Sequence, residues 1–297
     1  MNIVVTGGAG AVGTYLCERL LQEGNKVLCL DNLLTSKEEN ILHLRDDPNF
    51  YFRNVDVSKE RDVRDYVADA DLVYHLAGSV GVMLVDRDPM GCLDNNLRTG
   101  QAVFKVAAQY GIKVVYTSSS EVYGNGWGKP FSETDILQVG SPDKMRWSYA
   151  SSKLTQEFLC KGYSDKNVVV RLFNIVSPLH KKSYVVPSFT SKVQNEEEIT
   201  VYGDGSATRC FCDVKDAVEY LYGLGLDDRA NGETYNIGNS QNQFSMKELA
   251  EEVIKFYDKG RIVNKEYSEV FSGQHDDIDM RVPDTSKIRK LTGYKPK

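Results

Sequence analysis

The sequence predicts an α/β protein built on a doubly wound parallel sheet, followed by a smaller mixed α/β region. Three observations lead to this prediction. Strand patterns alternate with helix patterns through the first part of the chain, as in parallel sheets covered by helices on both faces. The first strand pattern, at residues 3–5, runs into a glycine-rich segment and then into a helix pattern. The second strand pattern, at residues 27–30, ends in Asp31.

The glycine-rich segment contains Gly7, Gly10 and Gly13. Glycines between a strand and a helix let the backbone approach a pyrophosphate, which then lies at the positive end of the helix. Asp31 follows about 20 residues later, where a carboxylate can accept hydrogen bonds from an adenosine ribose. Asn32 follows Asp31, and no arginine stands beside it to bind a 2′-phosphate. The segment therefore predicts a Rossmann-type domain that prefers NAD to NADP.

The alternation continues through the next four strand patterns. The fifth strand, at residues 113–117, delivers three serines to the carboxyl edge of the sheet, where ligands bind in such folds. His75 falls within an apolar strand pattern, and we interpret it as a packed core residue. The other strands are predicted at 51–57, 71–78 and 168–171, and helices at about 94–110 and from about 149 onward.

After residue 174 the alternation weakens. We therefore predict an NAD-binding domain at residues 1–174 and a smaller, more irregular region at 175–297, with a segment of about 208–238 returning to the first domain. Ser245 can cap a helix that begins at Met246. Strands are predicted at 199–202 and 234–238, and a helix at 214–224.

Composition excludes several classes of protein. The chain has 297 residues and a formal net charge of −6, which gives no support to nucleic-acid binding. No apolar run approaches the length of a membrane span, and we expect no signal peptide because the first strand follows Met1 at once. The six cysteines are spread along the chain without a metal-ligand spacing, so we expect no metal and a cytoplasmic protein with reduced thiols.

Tyr149 and Lys153 are four residues apart, a spacing that puts both side chains on one face of a helix. A lysine ammonium beside a phenol favours the phenolate and is expected to lower its pKa. Such a phenol can exchange a proton with an alcohol near neutral pH. A serine from the end of a nearby strand could hold the same oxygen. This arrangement is suited to oxidising a secondary alcohol, provided that a cofactor accepts the hydride.

With these motifs the chain resembles the extended short-chain dehydrogenase/reductase superfamily, specifically its nucleotide-sugar epimerase/dehydratase branch, over essentially its whole length. The resemblance implies an NAD-dependent enzyme with Ser119, Tyr149, Lys153 and Glu121 as its catalytic residues. It also implies cofactor contacts from Gly7, Gly10, Ala11, Val12, Gly13, Asp31, Asn32, Asp56, Val57, Leu76, Ala77, Gly78 and Asn96, besides Tyr149 and Lys153.

The same resemblance implies a nucleoside-diphosphate sugar as substrate, most of all a UDP sugar, and makes residues 175–297 the nucleotide-sugar-binding region. Arg209 is expected to clamp the phosphates, since an arginine fork suits a diphosphate. The helices at 94–110 and 149–163 resemble the pair that forms a four-helix bundle in a homodimer; the alternative is that their apolar faces pack within one subunit. The substrate contacts implied are Ser120, Asn174, Val185, Tyr202, Arg209 and Arg281.

The shared first step in this branch is oxidation at sugar C4 with Tyr149 as base, and the later steps differ. Dehydratases of this kind carry an Asp-Glu pair where this chain has Ser120 and Glu121, which counts against 4,6-dehydration. Ser120, Glu121 and the Arg281 element resemble the uronic acid decarboxylases. We expect a C4 epimerase because that activity is common in the branch. A decarboxylase, a dehydratase, a 4-ketoreductase and a non-catalytic nucleotide-binding protein remain alternatives.

Overall fold

The computed structural model describes residues 1–126, 128–266 and 279–297, and it confirms the predicted α/β fold. Long apolar strands form the centre because their β-branched side chains are buried on both faces, as in the Val168–Leu172 strand. The strands are β1 (Asn2–Thr6), β2 (Lys26–Asp31), β3 (Phe50–Asn54), β4 (Leu72–His75), β5 (Lys113–Ser119), β6 (Val168–Leu172), β7 (Ile175–Val176), β8 (Ile199–Tyr202), β9 (Thr208–Cys210), β10 (Cys212–Asp213), β11 (Thr234–Ile237), β12 (Gln243–Ser245), β13 (Ile262–Lys265) and β14 (Met280–Arg281).

The helices follow the strands in the expected alternation. Short 3-10 helices occupy Glu38–Leu44, Ser120–Tyr123 and Asp228–Ala230. The α-helices are α1 (Gly13–Gln22), α2 (Glu60–Val67), α3 (Val82–Arg87), α4 (Pro89–Gln109), α5 (Trp147–Tyr163), α6 (Val185–Gln194), α7 (Val214–Leu226), α8 (Met246–Tyr257) and α9 (Ser286–Thr292).

The central sheet has seven parallel strands in the order β11–β6–β5–β4–β1–β2–β3. The strand order reverses direction at the neighbouring pair β1 and β4, which brings the carboxyl ends of these strands to one crevice. In open α/β sheets such a crevice is where ligands bind. The edge strand β11 consists of residues 234–237, so the chain returns to this sheet after it has passed through a smaller region.

Two apolar layers cover the sheet. On one face, α1 and α7 pack over residues such as Val5 and Leu72. On the other face, α2, α4 and α5 pack over residues such as Val4 and Val114. A third core joins α6 and α8 to β8 in the smaller region, where β8 pairs with β13 and β9 pairs with β12 and β14. The smaller region therefore has its own core beside the carboxyl edge of the main sheet.

One predicted helix start is confirmed, and another lies at a different residue. Ser245 and Glu248 form the capping box that begins α8, which confirms the predicted start at Met246. The helix predicted from residue 94 begins earlier, at Pro89. The Asp88 carboxylate accepts a hydrogen bond from Gly91 N (2.9 Å), and Pro89 fits the first helical turn, where no N–H is needed.

Across residues 1–126, 128–266 and 279–297, the helices are all too short or too polar to span a lipid bilayer.

Candidate active site

The glycine-rich turn lies between β1 and the start of α1. Gly7 has φ of +70°, and a Cβ there would lie 2.7 Å from Ala77 N. A Cβ at Gly13 would collide with the Gly7 carbonyl oxygen. Only glycine therefore fits at both positions, because a Cβ would meet backbone atoms after β4 or within the turn. It leaves the N-terminus of α1, with Gly10, Ala11 and Val12 partly exposed, facing the crevice, which fits the predicted pyrophosphate.

Asp31 ends β2 beside this turn. Its carboxylate accepts hydrogen bonds from Ala9 N (3.0 Å), Leu33 N (2.9 Å) and Ser36 Oγ (2.8 Å). Three donors leave part of the acceptor capacity of a carboxylate unused, so the group is held in place and can still accept from a ribose hydroxyl. Asn32 is exposed, and its side-chain oxygen accepts from Leu34 N (3.1 Å).

The other predicted cofactor residues line the same edge. Asp56 and Val57 follow β3, and the Asp56 carboxylate accepts from Ser58 N (3.0 Å). Leu76, Ala77 and Gly78 follow β4 and are half-buried. A Cβ on Gly78 would lie 3.6 Å from the Nζ atom of Lys153, so this turn lies directly against the lysine.

Asn96 of α4 is fully buried and braces the turn after β4. Its Oδ1 accepts from Ser79 N (2.7 Å), while its Nδ2 donates to Ser79 O (3.1 Å) and to Ser152 Oγ (3.1 Å). These bonds join the turn to α5. The structure thus places Asn96 where it supports the predicted cofactor contacts, and its own contact with the cofactor stays a prediction.

Tyr149, Lys153 and Ser119 come together at the end of β5. Tyr149 lies in the first turn of α5 and shares a hydrogen bond with the Ser119 side chain. The buried Lys153 donates from Nζ to the Thr117 carbonyl oxygen (2.9 Å), and Nζ lies 5.1 Å from the centre of the Tyr116 ring. Local helix spacing and the adjacent strand end therefore bring a phenol, an ammonium and a hydroxyl into one small volume.

The electrostatics of this group differ from the sequence-based expectation. Burial raises the pKa of Tyr149 above its ordinary value, and the hydrogen bond with Ser119 offsets this only in part. The expected lowering of the phenol pKa is therefore wrong for this arrangement, because desolvation of the phenolate is the largest influence on it. Burial lowers the pKa of Lys153 to about 8, while the charge of Glu157 acts in the opposite direction.

Glu121 lies just beyond Ser119 and is held between two arginines. Its Oε2 pairs with Arg146 Nη2 (2.9 Å), and its Oε1 pairs with Arg281 Nη2 (2.8 Å). Burial by itself would raise the pKa of Glu121, but the charges of Arg281, Arg146 and Arg209 outweigh it and hold the pKa below its ordinary value. The carboxylate is therefore ionised and tied to both guanidinium groups.

Arg146 was not identified from the sequence, although it stands three residues before Tyr149, which could have indicated it. Its guanidinium carbon lies 4.8 Å from the centre of the Trp147 ring, so the side chain is fixed by stacking as well as by Glu121. Arg281 pairs with Glu121 through its Nη2 atom.

Two of the predicted substrate residues, Arg209 and Arg281, lie beside Glu121. Arg209 and Arg281 are partners in the parallel pair β9–β14, so their side chains share one face. Arg209 also donates from Nη1 to the Thr208 carbonyl oxygen (2.9 Å). Asn174 has φ of +33° and donates from Nδ2 to the Cys210 carbonyl oxygen (3.0 Å), which ties the end of β6 to β9. Ser120 is buried behind Ser119, Val185 begins α6 and Tyr202 ends β8.

His75 lies in the core, as interpreted from its strand pattern. Its Nδ1 atom is 2.8 Å from Thr6 Oγ1, and its ring packs against Phe104 and Tyr116. Burial lowers the pKa of His75 to about 3, so the ring is neutral at physiological pH.

The chain is similar to known proteins over most of its length. A family model described as the NAD dependent epimerase/dehydratase family matches residues 3–238. UDP-N-acetyl-alpha-D-glucosaminuronate decarboxylase of Bacillus cytotoxicus is 32% identical over 300 residues, covering 99% of this chain and 92% of that protein. UDP-glucuronic acid decarboxylase 4 of Arabidopsis thaliana is 33% identical over 303 residues, and the chain spans only 65% of its length.

A solved structure shows the same likeness in three dimensions. UDP-glucuronic acid 4-epimerase from Bacillus cereus, determined with UDP-glucuronic acid and NAD, superimposes with a TM-score of 0.89 at 26% identity. The match covers 100% of this chain and 94% of that one.

Proposed function

The chain belongs to the NAD-dependent epimerase/dehydratase family, and from this premise we propose that it decarboxylates a UDP-linked uronic acid. NAD is its cofactor. The proposal concerns which member of the family this chain is, since the oxidation at sugar C4 is common to its branches.

One observation carries the proposal. The group formed by Glu121, Arg146 and Arg281 has two cations and one anion, so it retains a net positive charge beside Ser119. Within residues 1–126, 128–266 and 279–297, the buried Nε–H of Arg281 has no acceptor. A buried donor without a partner costs free energy unless a ligand satisfies it. A sugar carboxylate supplies both the acceptor and the missing negative charge, whereas the neutral hydroxymethyl group of an ordinary hexose supplies no charge.

Two relatives support this choice. The Bacillus cytotoxicus and Arabidopsis thaliana proteins are both decarboxylases, and both align over nearly all of this chain. The serine and glutamate at the successive positions Ser120 and Glu121 also resemble the residues of these enzymes. Because Ser120 is a hydroxyl where dehydratases carry an acid, the site offers no acid at this position to expel water from C6.

The residues present can perform the steps in sequence. NAD, held by the glycine turn and Asp31, would supply the acceptor and later donor of the C4 hydride, and its positive charge would favour the Tyr149 phenolate. Tyr149 takes the proton from the C4 hydroxyl while Ser119 donates a hydrogen bond to the same oxygen. Arg281 and Arg146 hold the sugar carboxylate at the adjoining carbon, which fixes the orientation of the bond to be broken.

The C4 ketone makes loss of carbon dioxide possible. When the C5–C6 bond breaks, its electron pair moves into the ring and the negative charge develops on the C4 oxygen. Ser119 and Tyr149 donate hydrogen bonds to that oxygen. A proton then adds at C5, the hydride returns to C4, and Tyr149 returns its proton to the C4 oxygen. The balance is one uronate and one proton giving one pentose and carbon dioxide, with the cofactor unchanged.

Product analysis tests this proposal. We expect purified protein with NAD to release carbon dioxide from UDP-glucuronate or UDP-N-acetylglucosaminuronate and to leave a UDP-pentose in the NMR spectrum. UDP-glucose and UDP-N-acetylglucosamine serve as controls without a carboxylate. The Tyr149→Phe variant should lose activity by about a thousandfold. A product that keeps its carboxylate would overturn decarboxylation.

The second candidate is the C4 epimerase expected from the sequence. The Bacillus cereus 4-epimerase favours it, because that enzyme also binds a UDP-uronic acid in a closely similar fold. Both activities use the same carboxylate contact and the same oxidation. They differ in the product: a galacturonate-type sugar with its carboxylate retained identifies the epimerase.

We also propose that the protein is a homodimer in which α4 and α5 of one subunit pack on those of a second copy. Phe158 of α5 is 73% exposed and Met90 of α4 is 59% exposed. A second copy would remove these side chains from water.

A further inference from the structure

The buried carboxylate of Glu157 links the helix of the catalytic pair to the strand of the catalytic serine. Glu157 lies on α5 one turn after Lys153, and Ser118 lies on β5 next to Ser119. The Ser118 hydroxyl donates to Glu157 Oε1 at 2.6 Å. Both residues are at most 5% exposed. The bond therefore fixes how far α5 can shift along or away from β5 at the level of the site.

A buried arginine holds the same carboxylate from the other side. Arg171 of β6 donates from Nε to Glu157 Oε1 (3.0 Å) and from Nη2 to Glu157 Oε2 (2.7 Å). Two parallel bonds orient a carboxylate more strictly than one bond does. With three donors in fixed positions, the Glu157 side chain has one orientation.

Arg171 extends the network toward the segment that carries Glu121. Its Nη1 donates to the Tyr123 hydroxyl (2.8 Å), which in turn donates to Asn236 Oδ1 (2.8 Å). Tyr123 ends the 3-10 helix that begins at Ser120, and Asn236 belongs to β11. The same charged pair therefore braces α5, three sheet strands and the short helix after Ser119.

Glu157 also acts on Lys153 through its charge. The titratable groups that act on or lie beside the ammonium are His75 of β4, Tyr116 of β5 and Glu157 of α5. Tyr149 lies one helical turn before Lys153 on α5. Asn96 of α4, an uncharged amide, lies against Gly78, as Lys153 does. His75 is neutral, and burial raises the pKa of Tyr116 well above its ordinary value. Glu157, which is ion-paired with Arg171, is thus the carboxylate whose charge acts on Lys153.

We propose that Glu157 is a positioning residue for the oxidation step, which fixes the spacing between Ser119 and the Tyr149–Lys153 pair and keeps Lys153 charged. It touches neither cofactor nor sugar and acts through Ser118, Arg171 and Lys153. The inference rests on the C4 oxidation within the proposed function and is independent of what becomes of the ketone.

The first test measures Lys153 itself. The pKa of Lys153 is followed by 13Cε-lysine NMR on the full protein, with the signal assigned through Lys153→Met. We expect Glu157→Gln to lower this pKa by about 1 pH unit because the neighbouring negative charge is gone. The matched control is Glu219→Gln, which removes an interhelical partner of Arg19 between α7 and α1. Unchanged titration in a folded Glu157→Gln variant overturns the electrostatic role, whatever the substrate is.

The second test measures turnover of UDP-glucuronate. Glu157→Gln should lower kcat about tenfold at pH 7, leave KM within about twofold, and move the alkaline limb of the kcat profile to lower pH. Ser118→Ala should lower kcat about threefold without moving that limb, since the charge is intact. Wild-type kcat in Ser118→Ala overturns the spacing role.

A third variant covers the chance that Glu157→Gln does not fold, because it leaves Arg171 buried without its anion. Glu157→Leu combined with Arg171→Met removes both charges with apolar side chains of similar size. We expect this double variant to fold, to titrate Lys153 at lower pH and to have reduced kcat. A folded double variant with wild-type titration and wild-type kcat refutes the proposal.

Discussion

Glu121 and Arg281 form an ion pair at 2.8 Å, although they belong to elements that are far apart in the sequence. Glu121 follows the central strand β5, whereas Arg281 belongs to β14 in the smaller region. The pair ties the short helix after β5 to the smaller region. It also places a cation beside Ser119 and Tyr149, where the reacting sugar carbons are expected.

Replacing Arg281 tests the carboxylate contact. We expect Arg281→Gln to lower kcat/KM for UDP-glucuronate about a hundredfold, because a charge-assisted hydrogen bond to the sugar carboxylate of about 2–3 kcal/mol is lost. NAD affinity, measured by fluorescence titration, should not change. Arg289→Gln is the matched control, since Arg289 is an exposed arginine of the nearby α9. Equal kcat/KM in wild type and Arg281→Gln would count against the uronate proposal.

Burial of the Lys153 ammonium should lower the free energy of unfolding of the protein at neutral pH. The pKa of Lys153 falls from 10.5 to about 8 in the folded protein, so the unfolded chain binds the proton more tightly. The free energy of unfolding of the wild type should therefore rise with pH between about 8 and 10.5. We expect Lys153→Met to raise this free energy by about 2 kcal/mol at pH 7 in urea titrations, with the gain shrinking toward pH 10.

Lys161→Met provides the comparison for that experiment. Lys161 lies on the same helix but is exposed, and it donates to the Gly232 carbonyl oxygen at 2.8 Å. Its replacement should change stability by less than about 1 kcal/mol at both pH values. If Lys153→Met destabilises the protein at pH 7, the cost assigned to the buried ammonium is wrong.

Replacing Gly13 in the glycine-rich turn should weaken cofactor binding. A Cβ at Gly13 would collide with the Gly7 carbonyl oxygen and lie 2.7 Å from Gly8 Cα. We expect Gly13→Ala to open the turn and to weaken NAD binding at least tenfold in calorimetric titrations, roughly 1.4 kcal/mol. Gly162→Ala is the control, because a Cβ at that helical position has nothing within 4 Å. Equal affinity in both variants would show that the turn tolerates the methyl group.

The proposed dimer can be tested at Phe158. We expect Phe158→Glu to convert a dimer into a monomer in light scattering, since a carboxylate would be buried without a partner between the two subunits. Phe256→Glu is the control, because Phe256 of α8 is 81% exposed and lies away from α4 and α5. A wild-type monomer, or dissociation caused only by Phe256→Glu, would exclude this interface.

The sequence by itself determined the features that depend on local spacing. The strand, glycine turn and helix at residues 2–22 follow from neighbouring residues, because backbone periodicity and the needs of Gly7 and Gly13 are local. The pair Tyr149 and Lys153 is likewise set by one helical turn. The order of the motifs along the chain was enough to predict the sheet, the cofactor and the family.

Only the tertiary structure decided what those residues face. Arg146 and Arg281 both pair with Glu121, and Glu157 bonds to both Ser118 and Arg171. These contacts join elements that are distant in the sequence, so they exist only once the chain is folded. The pKa of Tyr149 is decided the same way. Helix spacing placed a lysine near the phenol, but the depth of burial, which depends on every packed neighbour, raised the pKa.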